Sequence, residues 1–128
     1  MSARTAQFLI AAVFLILGGW SLFAPTSVIE LAITEGYRDT SFINRFTIAC
    51  FGAQAVLFGL MALVTRWTAR SFAVFAVLLL PFFGFNYWFH YKVPVLTSIG
   101  MLDFAGNVTM LVLAIIGWRA ARAEDALA

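Results

Sequence analysis

Four long apolar runs occupy most of this chain, at residues 6–24, 46–65, 71–89 and 95–118. Each is close to the ~20 residues that an α-helix needs to cross the hydrocarbon of a bilayer. A backbone in hydrocarbon must pair its own N–H and C=O groups, and a helix does so within one segment. Of the 128 residues, 63% are hydrophobic and 11% charged. Soluble domains average about 25% charged residues, so this deficit points to a membrane as the solvent. The expected fold is therefore all-α: one domain over 1–128, a bundle of four transmembrane helices, with no residues left over for a soluble domain.

The first run could be mistaken for a secretory signal, because Arg4 precedes it and Ser21-Leu-Phe-Ala24 closes it. It is longer than the usual ~7–15-residue signal core, and it is read as a retained first membrane helix. Lys and Arg near the helix ends set orientation. With four spans, both termini share a side with the turn between the second and third runs. That side holds Arg4, Arg66, Arg70, Arg119 and Arg122; the other holds Arg38, Arg45 and Lys92 beside Glu30, Glu35 and Asp39. Both termini are therefore expected to be cytoplasmic. The net charge of +2 reflects this bias and no basic stripe or stacking platform for nucleic acid is present.

Pro25 is expected to end the first helix. In the loop that follows, 26–44, Thr26 or Ser27 would cap a short interfacial helix with Glu30 in its first turn, and Gly36 would end it. The tight turns at Arg66–Arg70 and Tyr91–Pro94 predict antiparallel neighbours for helices two and three and for three and four. Pro81 predicts a kink in the third. Trp67, Trp118, Tyr87, Trp88 and Tyr91 fit an interfacial aromatic belt. Phe51-Gly-Ala-Gln54 and Phe104-Ala-Gly-Asn107 align without a gap to Arg66 and Arg119, pairing Cys50 with Asp103, as a parallel repeat of two helix hairpins would.

The functional reading rests on the few polar side chains inside the runs. Asn86 and His90 lie four apart, as do Asp103 and Asn107, and Gln54 sits in the second run. On a helix such pairs share a face. If the faces containing Thr47, Cys50, Gln54, Phe58 and Met61, then Asn86 and His90, and then Asp103 and Asn107 turn inward, Gln54, Asn86, His90, Asp103 and Asn107 converge as a ligand-binding cluster. In one reading these groups only hydrogen-bond across helices, while Gly52, Ala55, Gly59, Gly100 and Gly106 allow close approach. In the other, Asp103 exchanges protons or binds a ligand with His90 as its partner, since a carboxyl group at membrane depth is a functional candidate. Asp103 and His90 are then candidate acid and base, with no catalytic residue assigned.

One Cys and one His cannot build a structural zinc site, and a lone Cys50 forms no internal disulfide. Cys50 is expected to pack in the bundle as a small apolar residue. No metal site and no certain cofactor are implied. Phe82-Phe83-Gly-Phe85 with Trp88-Phe89 would line a slot for a flat apolar ligand such as a quinone. The first run lacks the glutamate of small multidrug exporters, and nothing resembles a nucleophile elbow.

The segment Phe51-Gly-Ala-Gln-Ala-Val-Leu-Phe-Gly-Leu-Met-Ala-Leu-Val-Thr-Arg66, continued by Ala69-Arg-Ser-Phe-Ala-Val-Phe-Ala-Val-Leu-Leu80, resembles the second-to-third helix hairpin of DoxX-like bacterial membrane proteins. The apolar layout from Phe8 to Trp118 is similar to theirs. That resemblance implies a bacterial inner-membrane location; some proteins of that group are subunits of quinone-linked oxidoreductases, others are membrane partners in redox-stress complexes, and many have no assigned activity. It carries over no site residue. The leading expectation is a non-enzymatic accessory subunit, or a binder of a lipid-like ligand, with membrane lipids and a membrane-protein partner or second copy around it. Ala55-x-x-x-Gly59 or Gly100 would serve a homo-oligomer. A quinone- or lipid-converting enzyme is the alternative, and a proton-coupled transporter the third.

Overall fold

The computed structural model describes residues 1–127, so Ala128, the last residue of the expected domain, lies outside the description. The helices are α1 (Ala3–Phe23), α2 (Pro25–Ala32), α3 (Phe42–Val64), α4 (Ala69–Tyr87) and α5 (Leu102–Ala126). A 3₁₀ turn spans Glu35–Tyr37, and a π-helical segment, Trp88–Lys92, prolongs α4. Four of the helices, with α4 counted to Lys92, are long and apolar enough to cross a membrane. No strand forms among the described residues beyond one isolated bridge.

The helix ends follow local chemistry. Ser2 caps α1 by accepting from the Thr5 amide, and Ser41 caps α3 by accepting from Asn44. Thr68 and Ser71 form a reciprocal capping box at the start of α4. Pro25 stands at the first position of α2, where its missing N–H is no loss, so α2 follows α1 after the single residue Ala24. Ala24 therefore takes the cap position expected of Thr26 or Ser27. The helix stops at Ala32, before Gly36, which lies in the 3₁₀ turn.

The fourth apolar run becomes helical only at Leu102, seven residues after the expected start at Val95. The intervening stretch is held by the first loop instead. Thr34 N donates to Val95 O at 2.7 Å, Thr97 N donates to Ala32 O at 3.0 Å, and Ile33 bridges Leu96 antiparallel. Thr97 Oγ1 also donates to Leu31 O. The last carbonyls of α2 would otherwise lack partners, so this clasp completes α2 and joins both loops of one end. A side chain at Gly100 would enter it, its Cβ 2.5 Å from the Ala32 oxygen.

α1 packs between α3 and α5, and α4 packs on α5. The core of Ala6, Ile10, Phe72, Leu79, Met110, Leu113 and Ala114 joins α1, α4 and α5. α3 lies on α1 through glycines: a Cβ at Gly18 would sit 2.8 Å from Ala55 Cβ, and one at Gly59 would sit 2.9 Å from Leu15 Cγ. Residues Gly52, Gly59 and Ala62 are thus the buried face of α3, whereas Gln54 and Cys50 are exposed. This corrects two expectations, the inward turn of Gln54 and the packing of Cys50 within the bundle, while Phe58 and Met61 of the same expected face do turn towards α4. Ala55, Gly59 and Gly100 make close contacts within the chain.

α3 and α4, joined by the short turn, are not closely packed along their lengths. Aromatic rings span the gap instead. Phe58 stacks on Phe75 at 5.9 Å, and Trp67 meets Phe72 and Phe75 at 5.1 Å each. Trp67 therefore also serves packing between α3 and α4. The hairpin repeat also loses one equivalence, because Gln54 faces outward while its counterpart Asn107 is buried.

Candidate functional site

The polar cluster forms where the end of α4 meets the start of α5. Asn86 Nδ2 donates to Asp103 Oδ2 at 2.9 Å. Asn107 Nδ2 lies 3.1 Å from both Asp103 Oδ2 and Asn86 Oδ1 and donates to them. Both asparagines are 3% exposed, whereas Asp103 is exposed. The triad exists because the turn after α4 returns the chain at the same level, and because Asp103 and Asn107 are one helical turn apart.

Depth changes the meaning of Asp103. With α5 starting at Leu102, the carboxylate sits in the first turn, where the partial positive charge of the helix end favours an anion. Leu102 to Trp118 spans roughly 25 Å at ~1.5 Å per residue, less than the ~30 Å hydrocarbon thickness. Measured from Trp118, Asp103 therefore lies nearer an edge of the apolar zone than its middle. Its Oδ2 is shared by two amides, and among the described residues its Oδ1 makes no hydrogen bond.

His90 and Gln54 do not join the cluster. His90 stands in the π-helical segment, half-buried, and its Nδ1 donates to Leu96 O at 3.3 Å. Among the described residues no hydrogen bond connects His90 with Asp103, so the expected acid–base pair is not formed. Gln54 faces outward on α3. Nor do the expected aromatics form a slot: Phe82, Phe85 and Trp88 are exposed, and Phe83 packs edge-on against Phe104 at 5.9 Å.

The aromatic-lined cavity lies elsewhere. Between α3 and α4, at the end bearing Arg66 and Arg70, is a cleft of about 500 Å³. Phe58, Met61, Trp67, Val74, Phe75 and Leu78 line it, with Thr65, Thr68, Ser71 and Arg70 also in its wall. Sequence reasoning missed it because it depends on α3 and α4 standing apart. Among the described residues no group of three or more His, Cys, Asp or Glu side chains could hold a metal ion.

Gln7, also overlooked, is 1% exposed in α1. Its Nε2 donates to Thr65 O at 2.9 Å and to Ala62 O, and its Oε1 accepts from Trp67 N at 3.1 Å. Arg4 donates beside it to Thr65 O and to Leu63 O. The two side chains cap the open carbonyls at the end of α3 and hold the mouth of the cleft.

The triad's chemistry is that of a brace, and its removal has a graded expected result. Asp103→Asn keeps an oxygen acceptor for both amides, and should cost about 1 kcal/mol, the difference between a charged and a neutral acceptor. Asp103→Leu strands the Asn86 donor, while Asn107 Nδ2 keeps its bond to Asn86 Oδ1, and should cost about 1–3 kcal/mol. Thermal unfolding in mild detergent checks this; equal melting of wild type and Asp103→Leu would remove the brace.

Comparison with protein-family models, curated proteins and solved structures finds no match for this chain.

Proposed function

We propose that this chain is a non-catalytic, multi-pass protein of a bacterial inner membrane that holds a lipid-like ligand, with both termini in the cytoplasm. The observation that carries the reading is the α3–α4 cleft. Its volume of about 500 Å³ falls within the ~300–1,000 Å³ typical of ligand pockets. Aromatic and aliphatic side chains would take an acyl or isoprenoid tail. Arg70 and the hydroxyls of Thr65, Thr68 and Ser71 would take a polar head at the basic end, where juxtamembrane Arg favours anionic lipid. The excess of Arg at this end supports a cytoplasmic orientation. α2, with Glu30 and the clasp, would then lie at the outer interface. The likeness of residues 51–80 to DoxX-like hairpins supports a place beside a larger membrane partner.

The acid–base reading finds less support, because Asp103 is engaged by two asparagines and His90 by a backbone carbonyl.

Native mass spectrometry from mild detergent tests the proposal. The wild-type chain should carry a lipid- or quinone-sized mass. Val74→Trp, at a half-exposed position in the cleft wall, should lose it while melting as wild type does. A bare wild-type chain, or equal loading of both proteins, would overturn the reading. A stoichiometric larger protein in place of the small mass would replace it with an accessory-subunit role.

A further inference from the structure

Gln54 is the one side-chain amide on the outer surface of α3, and among the described residues it has no hydrogen-bond partner. It stands 12 residues after Phe42 and 10 before Val64. At ~1.5 Å per residue it lies roughly 18 Å and 15 Å from the two helix ends, near mid-membrane. Polar groups at that depth turn to a partner or a water-filled cavity, since hydrocarbon offers neither donor nor acceptor. The opposite face of α3, at Gly52, Ala55 and Gly59, is already filled by α1. The outer face is therefore where the amide must be satisfied.

We propose that the outer face of α3 is the interface of a parallel homodimer, in which the Gln54 amides of two copies hydrogen-bond to each other. Copies inserted in the same orientation are related by a two-fold axis along the membrane normal. Such an axis sets α3 against α3 in parallel and brings a residue to its own counterpart. A carboxamide carries both donor and acceptor, so it satisfies an identical group, which a charged side chain cannot do. The residues around Gln54 fit a seam. Thr47, Cys50, Gln54 and Leu57 recur at alternating spacings of three and four, and all four are exposed; one turn further on, Met61 of the same stripe lines the α3–α4 cleft. That is the a/d spacing of a two-helix coil, in which a single polar residue at one a position sets register and partner number. Among the described residues Thr47 Oγ1 is satisfied, donating back to Ile43 O at 2.9 Å, which leaves the weakly polar Cys50 thiol and the Gln54 amide on the stripe. A second copy supplies everything the face lacks.

The test counts labelled full-length chains by single-molecule photobleaching in liposomes across a range of protein-to-lipid ratios. Wild type should pass from monomer to dimer as density rises. Gln54→Leu should weaken the dimer roughly three- to thirty-fold, the span of measured interhelical hydrogen bonds in membranes. Gln54→Asn, which keeps an amide, should recover most of the loss, and Val77→Ala, on the exposed face of α4, should change nothing. Among the described residues Gln54 makes no hydrogen bond, so these variants should fold. Cys50, one turn away and the only cysteine, gives a second reading: oxidation in membranes should cross-link wild type to itself, and Gln54→Leu less. A chain monomeric at every density, a Gln54→Leu dimer as tight as wild type, or a Cys50 cross-link to a different protein would overturn the proposal.

Discussion

Alanine at Gly52 is expected to lower stability by about 3 kcal/mol, at the upper end of the ~1–3 kcal/mol range for overpacked cores. The added Cβ would sit 2.6 Å from the Gly18 carbonyl oxygen and closer still to the Leu22 amide nitrogen. Those atoms belong to the backbone of α1 and cannot swing aside as a side-chain tip would. α1 must move away from α3, and it cannot do so alone, because its other flank is packed on α5. In lipid no hydrophobic force restores the contact, since helices there associate by close packing and hydrogen bonds. Gly19 is the internal control. A Cβ there meets nothing within 4 Å, so Gly19→Ala should leave stability unchanged or raised by up to about 1 kcal/mol. Unfolding by graded addition of an ionic detergent to mild-detergent micelles would compare the two. Equal behaviour of Gly52→Ala and wild type would show that the α1–α3 contact is looser than its geometry implies.

The glycines also mark how much of the molecule its sequence discloses. Spans were legible from run length, because crossing a bilayer demands one, and four helices of that kind are present. Helix rotation was less legible. In a water-soluble bundle the apolar stripe faces the core, but here lipid is as apolar as the core, and hydrophobicity does not tell one face from another. The Gln54 face of α3 was therefore expected inside, on the rule that polar groups turn inward, while Gly52 and Gly59 are the residues that touch α1. The meeting of Asn86, Asp103 and Asn107 was legible, since two four-residue spacings flank one turn. Their depth was not, because the delayed start of α5 depends on backbone pairing between residues 33–34 and 95–97 across two loops. Gln7 carried a readable signal that went unused: it is the only amide in the first run and lies one turn after Arg4.

That amide supports the second large effect. Gln7→Leu should destabilise the chain by about 2–4 kcal/mol, given ~1–3 kcal/mol for each buried polar group left without a partner. The substitution leaves the Ala62 carbonyl and the Trp67 amide without their side-chain partner, while Thr65 O keeps its bond from Arg4. Trp67 is the hinge of the consequence. Its amide is held by Gln7, and its ring packs on Phe58, Phe72 and Phe75 at the closed side of the cleft. Loss of the amide bond should therefore loosen the aromatic floor and widen the α3–α4 gap, and not merely fray one helix end. Arg4→Gln should do less, since Arg4 is only partly buried and Gln7 still bonds Thr65. Two readouts separate a local from a global effect: the melting temperature in mild detergent, and quenching of Trp fluorescence by lipids brominated along the tail. Gln7→Leu should melt earlier and show stronger quenching, as Trp67 gains contact with lipid; unchanged quenching with a lowered melting point would confine the role of Gln7 to capping α3.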